Sequence, residues 1–307
     1  MRSSRNDKPF QSTLVRLVRL AGLALAWVAP AQASQTIATI KWYSFDLYPF
    51  YIAGGALKQQ GIVDLALNKQ LIPALPEYTH SVELVPLKRL ELNLRQEPNA
   101  CALGLLKNPE RERSFIFSRP FLAQIPPGVM ARRDSAAALT PYLTPDGSLS
   151  LSKVLEEGRL TVGVADGRSY GAAVDGLLHA ATSNGKVYVN SSPRAALSLL
   201  RMSLLGRVDL VPSFPYEASY LTQTEGAEFG ALKFYPLAEQ PRFLLGYAAC
   251  SNSDFGREAI AKINLQLSRQ RFQSSVQDQY EAWLDEDSRP LARQIFKQTM
   301  SGKLPPP

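Results

Sequence analysis

The residues Asn108-Pro109-Glu110-Arg111-Glu112-Arg113 follow the apolar run Cys101–Leu106 and set an arginine just beyond a strand exit. Side chains at that end of an open α/β sheet face the crevice where such sheets bind small molecules. A guanidinium there can clamp a carboxylate through two parallel hydrogen bonds. The competing reading is a solvated loop in which Glu110, Arg111, Glu112 and Arg113 pair with one another. Other chemistry is thinly represented. Two cysteines exclude a cysteine-based zinc site, the histidines are His80 and His179 alone, and Ser118 stands outside any Ser-His-Asp pattern. No catalytic residue, metal ligand or cofactor is therefore expected.

The elements that must position Arg111 alternate in type. Thr36–Trp42 reads as a strand, Gly61 to Leu75 as a helix, Ser81–Pro86 as a strand, the segment around Leu90 and Leu94 as a helix, and Cys101–Leu106 as a strand. That β-α-β-α-β order predicts a mostly parallel sheet. Pro126-Pro127-Gly128 and the extended Val129–Arg132 leave this unit, and the alternation then restarts. Leu160–Val164 is a strand, Asp166–Gly171 a turn, Ala172–Ala181 a helix, Lys186–Val189 a strand, Pro193–Leu205 a helix and Arg207–Pro212 a strand. Phe243–Cys250 is strand-like, and Phe255–Met300 is helical with Ile260, Ile263, Leu267, Tyr280 and Trp283 as anchors.

Arg2, Arg5, Lys8, Arg16 and Arg19 precede the apolar run Leu20–Val28, and Pro30 and Ala31-Gln32-Ala33 follow it. This is the layout of a secretory signal peptide, with cleavage expected after Ala33 and an apolar run too short to span a bilayer. The mature chain is expected in the periplasm, not membrane-spanning. Cleavage takes five basic residues and Asp7 with it, so the net charge falls from +7 to +3. So small an excess, with no dense Lys/Arg tract, excludes a nucleic-acid footprint. In an oxidising compartment Cys101 and Cys250 are either one disulfide or two buried thiols. A bridge across 149 positions has an entropic ceiling on the order of 4 to 5 kcal/mol.

Together these motifs resemble the family 3 periplasmic solute-binding proteins, receptors of polar amino-acid ABC transporters. The likeness rests on Tyr48-Pro49-Phe50, Gly61-Ile62-Val63-Asp64, Pro109-Glu110-Arg111, Phe117-Ser118-Arg119-Pro120, Gly163-Val164, Gly167-Arg168-Ser169-Tyr170-Gly171 and Gly206-Arg207-Val208-Asp209. It implies a two-lobed α/β fold of type II, each lobe a small mostly parallel sheet flanked by helices, the two joined by hinge strands. Residues 34–128 and 247–307 would form lobe 1, and residues 129–246 lobe 2. The resemblance assigns Arg111 to a ligand α-carboxylate and maps backbone donors of the second lobe to Arg168, Ser169 and Tyr170. A helix start, with unpaired N–H groups and positive potential, suits that role. It places an aromatic platform at Trp42, Tyr43, Tyr48 and Phe50. Where the family holds the ligand ammonium with an aspartate, this sequence has Phe214, leaving a cation–π contact or Glu217 as substitutes.

The expected function is capture of a small anionic or zwitterionic, amino-acid-like solute by hinge closure, for an ABC permease. The expected protein is a monomer. The alternatives are a sensory module for a membrane receptor and a dehydratase-like enzyme with Glu217 or Asp166 as its acid.

Overall fold

Thr39-Ile40-Lys41-Trp42-Tyr43-Ser44 forms an inner strand, with Ile40 and Trp42 packed beneath one layer of helices and Tyr43 beneath another, while Lys41 on the Tyr43 face is exposed. The structure is a computed structural model that describes residues 38–300 except Asn184, Lys186 and Pro193. The expected signal peptide and cleavage point lie outside the described residues. Ten strands carry the described fold: β1 (Thr39–Ser44), β2 (Thr79–Leu84), β3 (Ala100–Leu106), β4 (Phe115–Gln124), β5 (Gly128–Arg132), β6 (Val162–Ala165), β7 (Val187–Asn190), β8 (Val211–Ser213), β9 (Leu232–Tyr235) and β10 (Leu244–Ser251).

The first sheet has the order β2-β1-β3-β10-β4. β1 pairs parallel with β2 and β3, whereas β10 runs antiparallel to β3 and β4. The sheet is mixed, not mostly parallel, because β10 brings the chain back from the second half in the opposite direction. A helical run, Ile62–Ala74, connects β1 to β2; it widens to π-helical bonding over Ala66–Leu71 and tightens at Ile72–Ala74. Leu87–Gln96 connects β2 to β3 with Leu90 and Leu94 inward. β4 sits at the sheet edge, where Pro120 withholds no needed donor. Cys101 of β3 faces Cys250 of β10, and the two are joined by a disulfide.

The second half is also mixed. β5 pairs antiparallel with β8 and β9, while β6 and β7 pair parallel. A parallel bridge, Val162 to Leu210, ties β6 to the β8 side. Gly163 permits this layer: a Cβ there would lie 2.8 Å from Leu199 Cδ2 and 2.9 Å from Val208 Cγ1. The two connections between halves are Ile125–Pro127, between β4 and β5, and the segment between β9 and β10. The largest apolar core runs through both halves, from Phe50, Leu122 and Ile125 to Met130, Tyr216, Phe234 and Trp283. The described residues belong to one compact unit.

Candidate functional site

Because β6 and β8 run side by side in the same direction, the loops leaving their C-terminal ends meet. The loop after β6 doubles back through Gly167 and Gly171, whose φ of 68° and 103° suit glycine. The loop after β8, Phe214-Pro215-Tyr216, leads into the helix Glu217–Thr224. Arg168 of the first loop reaches Glu217 of the second, Nη2 donating to Oε1. Glu217 is 2% exposed, and its other oxygen accepts from Ser213 Oγ and from the Phe214 N–H at 3.3 Å. Burial works against the charge of Arg168, but the charge and hydrogen bond of Glu217 together with Tyr170 and Tyr48 hold the guanidinium pKa above its ordinary value. The guanidinium carbon lies 5.3 Å from the ring centres of both Tyr170 and Phe214. The face of Phe214, expected to meet a ligand amine, thus meets the chain's own arginine.

Opposite this pair is the loop after β1. Tyr48 stacks on Tyr220 with ring centres 4.3 Å apart. Phe50 meets Tyr216 edge-on at 5.1 Å, and Tyr216 stacks on Phe214 at 5.4 Å. Burial pushes the Tyr48 phenol up to about 12, with the Glu217 charge raising it and Arg168 opposing. Tyr170 is also pushed up to about 12, first by burial, and its buried hydroxyl has no hydrogen-bond partner among the described residues.

The other expected anion-binding groups have carboxylate partners within the chain. Arg111 sits in the short helix Pro109–Ser114, capped by Asn108, whose Oδ1 accepts the Arg111 N–H at 2.8 Å. Its Nε and Nη2 donate to Glu91 Oε1 at 3.0 and 2.7 Å, and its Nη1 donates to the Leu106 carbonyl at 2.9 Å. Ser169 Oγ donates to Asp175 Oδ2 at 2.5 Å, and the Tyr170 N–H donates to Asp175 Oδ1 at 2.7 Å. Asp175, in the first turn of helix Ala172–Ser183, fills the helix-start position expected for a ligand. Asp166 accepts from Ser191 Oγ at 2.9 Å.

Trp42 and Tyr43 lie elsewhere. Trp42 Nε1 donates to His80 Nδ1 at 3.0 Å, Tyr43 OH donates to Glu97 Oε1 at 2.9 Å, and both rings belong to the packing around the first sheet. Their position on a central strand with helices on both sides explains this. Phe50 joins the site, with Tyr48. Sequence reasoning passed over Ser213, Tyr216, Tyr220, Glu91 and Asp175. Only Asp175 carried a local signal, an acid in the first turn of a helix. Cavities of about 560, 420 and 370 Å³ open elsewhere on the surface.

No protein-family model matches the chain, and no curated protein does. Solved structures do. The probable amino-acid ABC transporter extracellular-binding protein YtmK of Bacillus subtilis aligns with a TM-score of 0.58 at 16% identity, over 82% of this chain and 99% of that one. The second substrate-binding domain of Lactococcus lactis GlnP, in an open conformation, aligns with 0.56 at 13%, over 81% and 96%. The periplasmic VFT2 domain of BvgS from Bordetella pertussis aligns with 0.51 at 19%, over 78% and 91%. These likenesses establish a periplasmic-binding-protein-like fold.

Proposed function

We propose that the chain is a periplasmic solute-binding protein that holds a small carboxylate-bearing, amino-acid-like solute between two lobes and serves an ABC-type importer. One lobe is built on the sheet β2-β1-β3-β10-β4 and the other on β5 to β9, the chain crossing close to the expected boundaries at residues 128 and 246, and the mature protein begins after Ala33. The observation that carries this reading is the convergence of Tyr48 and Phe50 from one half on Arg168, Tyr170 and Phe214 from the other. The fold adds support, since YtmK is described as a probable amino-acid ABC transporter extracellular-binding protein and the GlnP domain as a substrate-binding domain. Arg111 gives three of its five N–H groups to Glu91 and Leu106, which leaves two for a solute carboxylate. No step of this function needs catalysis. One observation favours the sensory alternative: the shared core between halves suits a module that reports its state to a membrane receptor, and BvgS VFT2 has this fold.

A thermal-shift screen over amino acids, small carboxylates and amines tests the reading, because a solute that binds only the folded chain raises its apparent stability. At least one carboxylate-bearing solute is expected to raise the melting temperature. Calorimetry with Arg111→Ala is then expected to show affinity reduced about tenfold or more, the loss of a charged hydrogen-bond pair being worth about 1.5 to 3 kcal/mol. A screen without a hit removes the binding reading, and undiminished affinity in Arg111→Ala removes the clamp alone.

A further inference from the structure

We propose that Glu217 is a resident carboxylate ligand: it fills a carboxylate-binding site made by Arg168, Ser213 and the Phe214 N–H, and so closes the cleft without a solute. The donor set is that of a carboxylate receptor. One oxygen takes a guanidinium N–H, and the other takes a hydroxyl and a backbone N–H. Tyr170 and Phe214 frame the guanidinium, and Glu217 is 2% exposed. A simple helix cap explains less. A carboxylate that only closed the loop would take the Phe214 N–H from an exposed position, whereas Glu217 is buried, and a buried carboxylate requires further donors. Arg168 arrives from 49 positions earlier in the sequence to meet it.

The pair supplies both charges that an amino-acid solute would bring. The guanidinium lies over Phe214, where the resemblance expects a ligand amine, and the Glu217 carboxylate accepts from donors that could equally donate to a ligand carboxylate. Tyr48, Phe50, Tyr216 and Tyr220 then seal the two halves over the pair. A free α-amino acid therefore has to displace Glu217 to use Arg168. Glu217 acts as a specificity-determining residue that shuts simple carboxylates out of this half of the cleft.

The inference concerns the same site as the solute-binding reading and is tested without the natural solute. Wild type and Glu217→Ala are melted in sodium acetate and in sodium chloride at equal ionic strength. The wild type is expected to melt at the same temperature in both. Glu217→Ala is expected to melt lower in chloride and to regain part of the loss in acetate. The double variant Glu217→Ala/Arg168→Met is expected to lose the acetate response. Equal responses of wild type and Glu217→Ala to acetate overturn the proposal. X-ray scattering from solute-free wild type gives a second measure that does not depend on a variant folding. Its profile is expected to match that calculated from this closed structure, and a more extended profile overturns the proposal. A solute screen without a hit would sink the transport reading yet leave both of these results standing.

Discussion

At the scale of single residues, Arg111 is a brace as well as a candidate clamp. Its guanidinium is 15% exposed and Glu91 22% exposed, so the pair is shielded enough to exceed a surface ion pair yet is not fully dry. A double-mutant cycle with Arg111→Ala and Glu91→Ala, read by denaturant unfolding, is expected to give a coupling of about 1 kcal/mol. Zero coupling would mean that the pair is solvated and the guanidinium fully available to a ligand. Arg111, Arg168 and Glu217 were each conspicuous in the sequence. Their pairings were not, because a contact between residues 20 or 49 positions apart depends on how helices and loops are aimed. The sequence also could not reveal that each expected anion site would meet a carboxylate of the same chain. Trp42 and Tyr43 misled for a related reason: an aromatic on a central strand fits a core as well as a binding platform.

At the scale of elements, the Tyr48–Phe50 loop is held where it closes on the second half by the start of the helical run Ile62–Ala74. Asp64 accepts the N–H groups of Ile52 and Gly61 at 2.9 and 3.2 Å. The Val63 N–H donates to the Phe50 carbonyl at 2.9 Å. Gly61 is needed there for space, since a Cβ would fall 2.3 Å from the Phe50 carbonyl oxygen and 2.7 Å from its carbon, both backbone atoms. Gly61→Ala is expected to destabilise the protein by about 1 to 3 kcal/mol, as overpacking does. It should also weaken the near-ultraviolet circular dichroism from the Tyr48–Tyr220 stack. An unchanged melting temperature would show that the loop is fixed elsewhere. The β-α-β-α-β order of the first sheet was readable because helical and strand periodicities alternate cleanly. β4 was not, because Arg119-Pro120 interrupts its apolar pattern and only its edge position tolerates the proline. The antiparallel sense of β10 was also hidden, since strand direction depends on where the chain has travelled in between.

At the scale of the whole molecule, the division into two lobes follows chain connectivity, while the packing crosses it. Tyr216, Ala218 and Leu221 of the second half share one core with Phe50, Tyr280, Trp283 and Leu284 of the first. Tyr220 lies 5.9 Å from Trp283 between ring centres. Arg133 Nη1 reaches Asp287 Oδ2 at 2.5 Å at the rim of this contact. Lobes joined only by two strands move and unfold separately when little surface lies between them. A shared apolar core removes that freedom, because opening it exposes side chains of both halves to water. Scanning calorimetry of residues 34–307 is therefore expected to show one transition, with calorimetric and van't Hoff enthalpies equal, although single-step unfolding is usual only below about 150 residues. Two resolved transitions would show that the halves keep separate cores. A single transition would make closure a property of the fold itself, with any solute entering a molecule whose halves already unfold together.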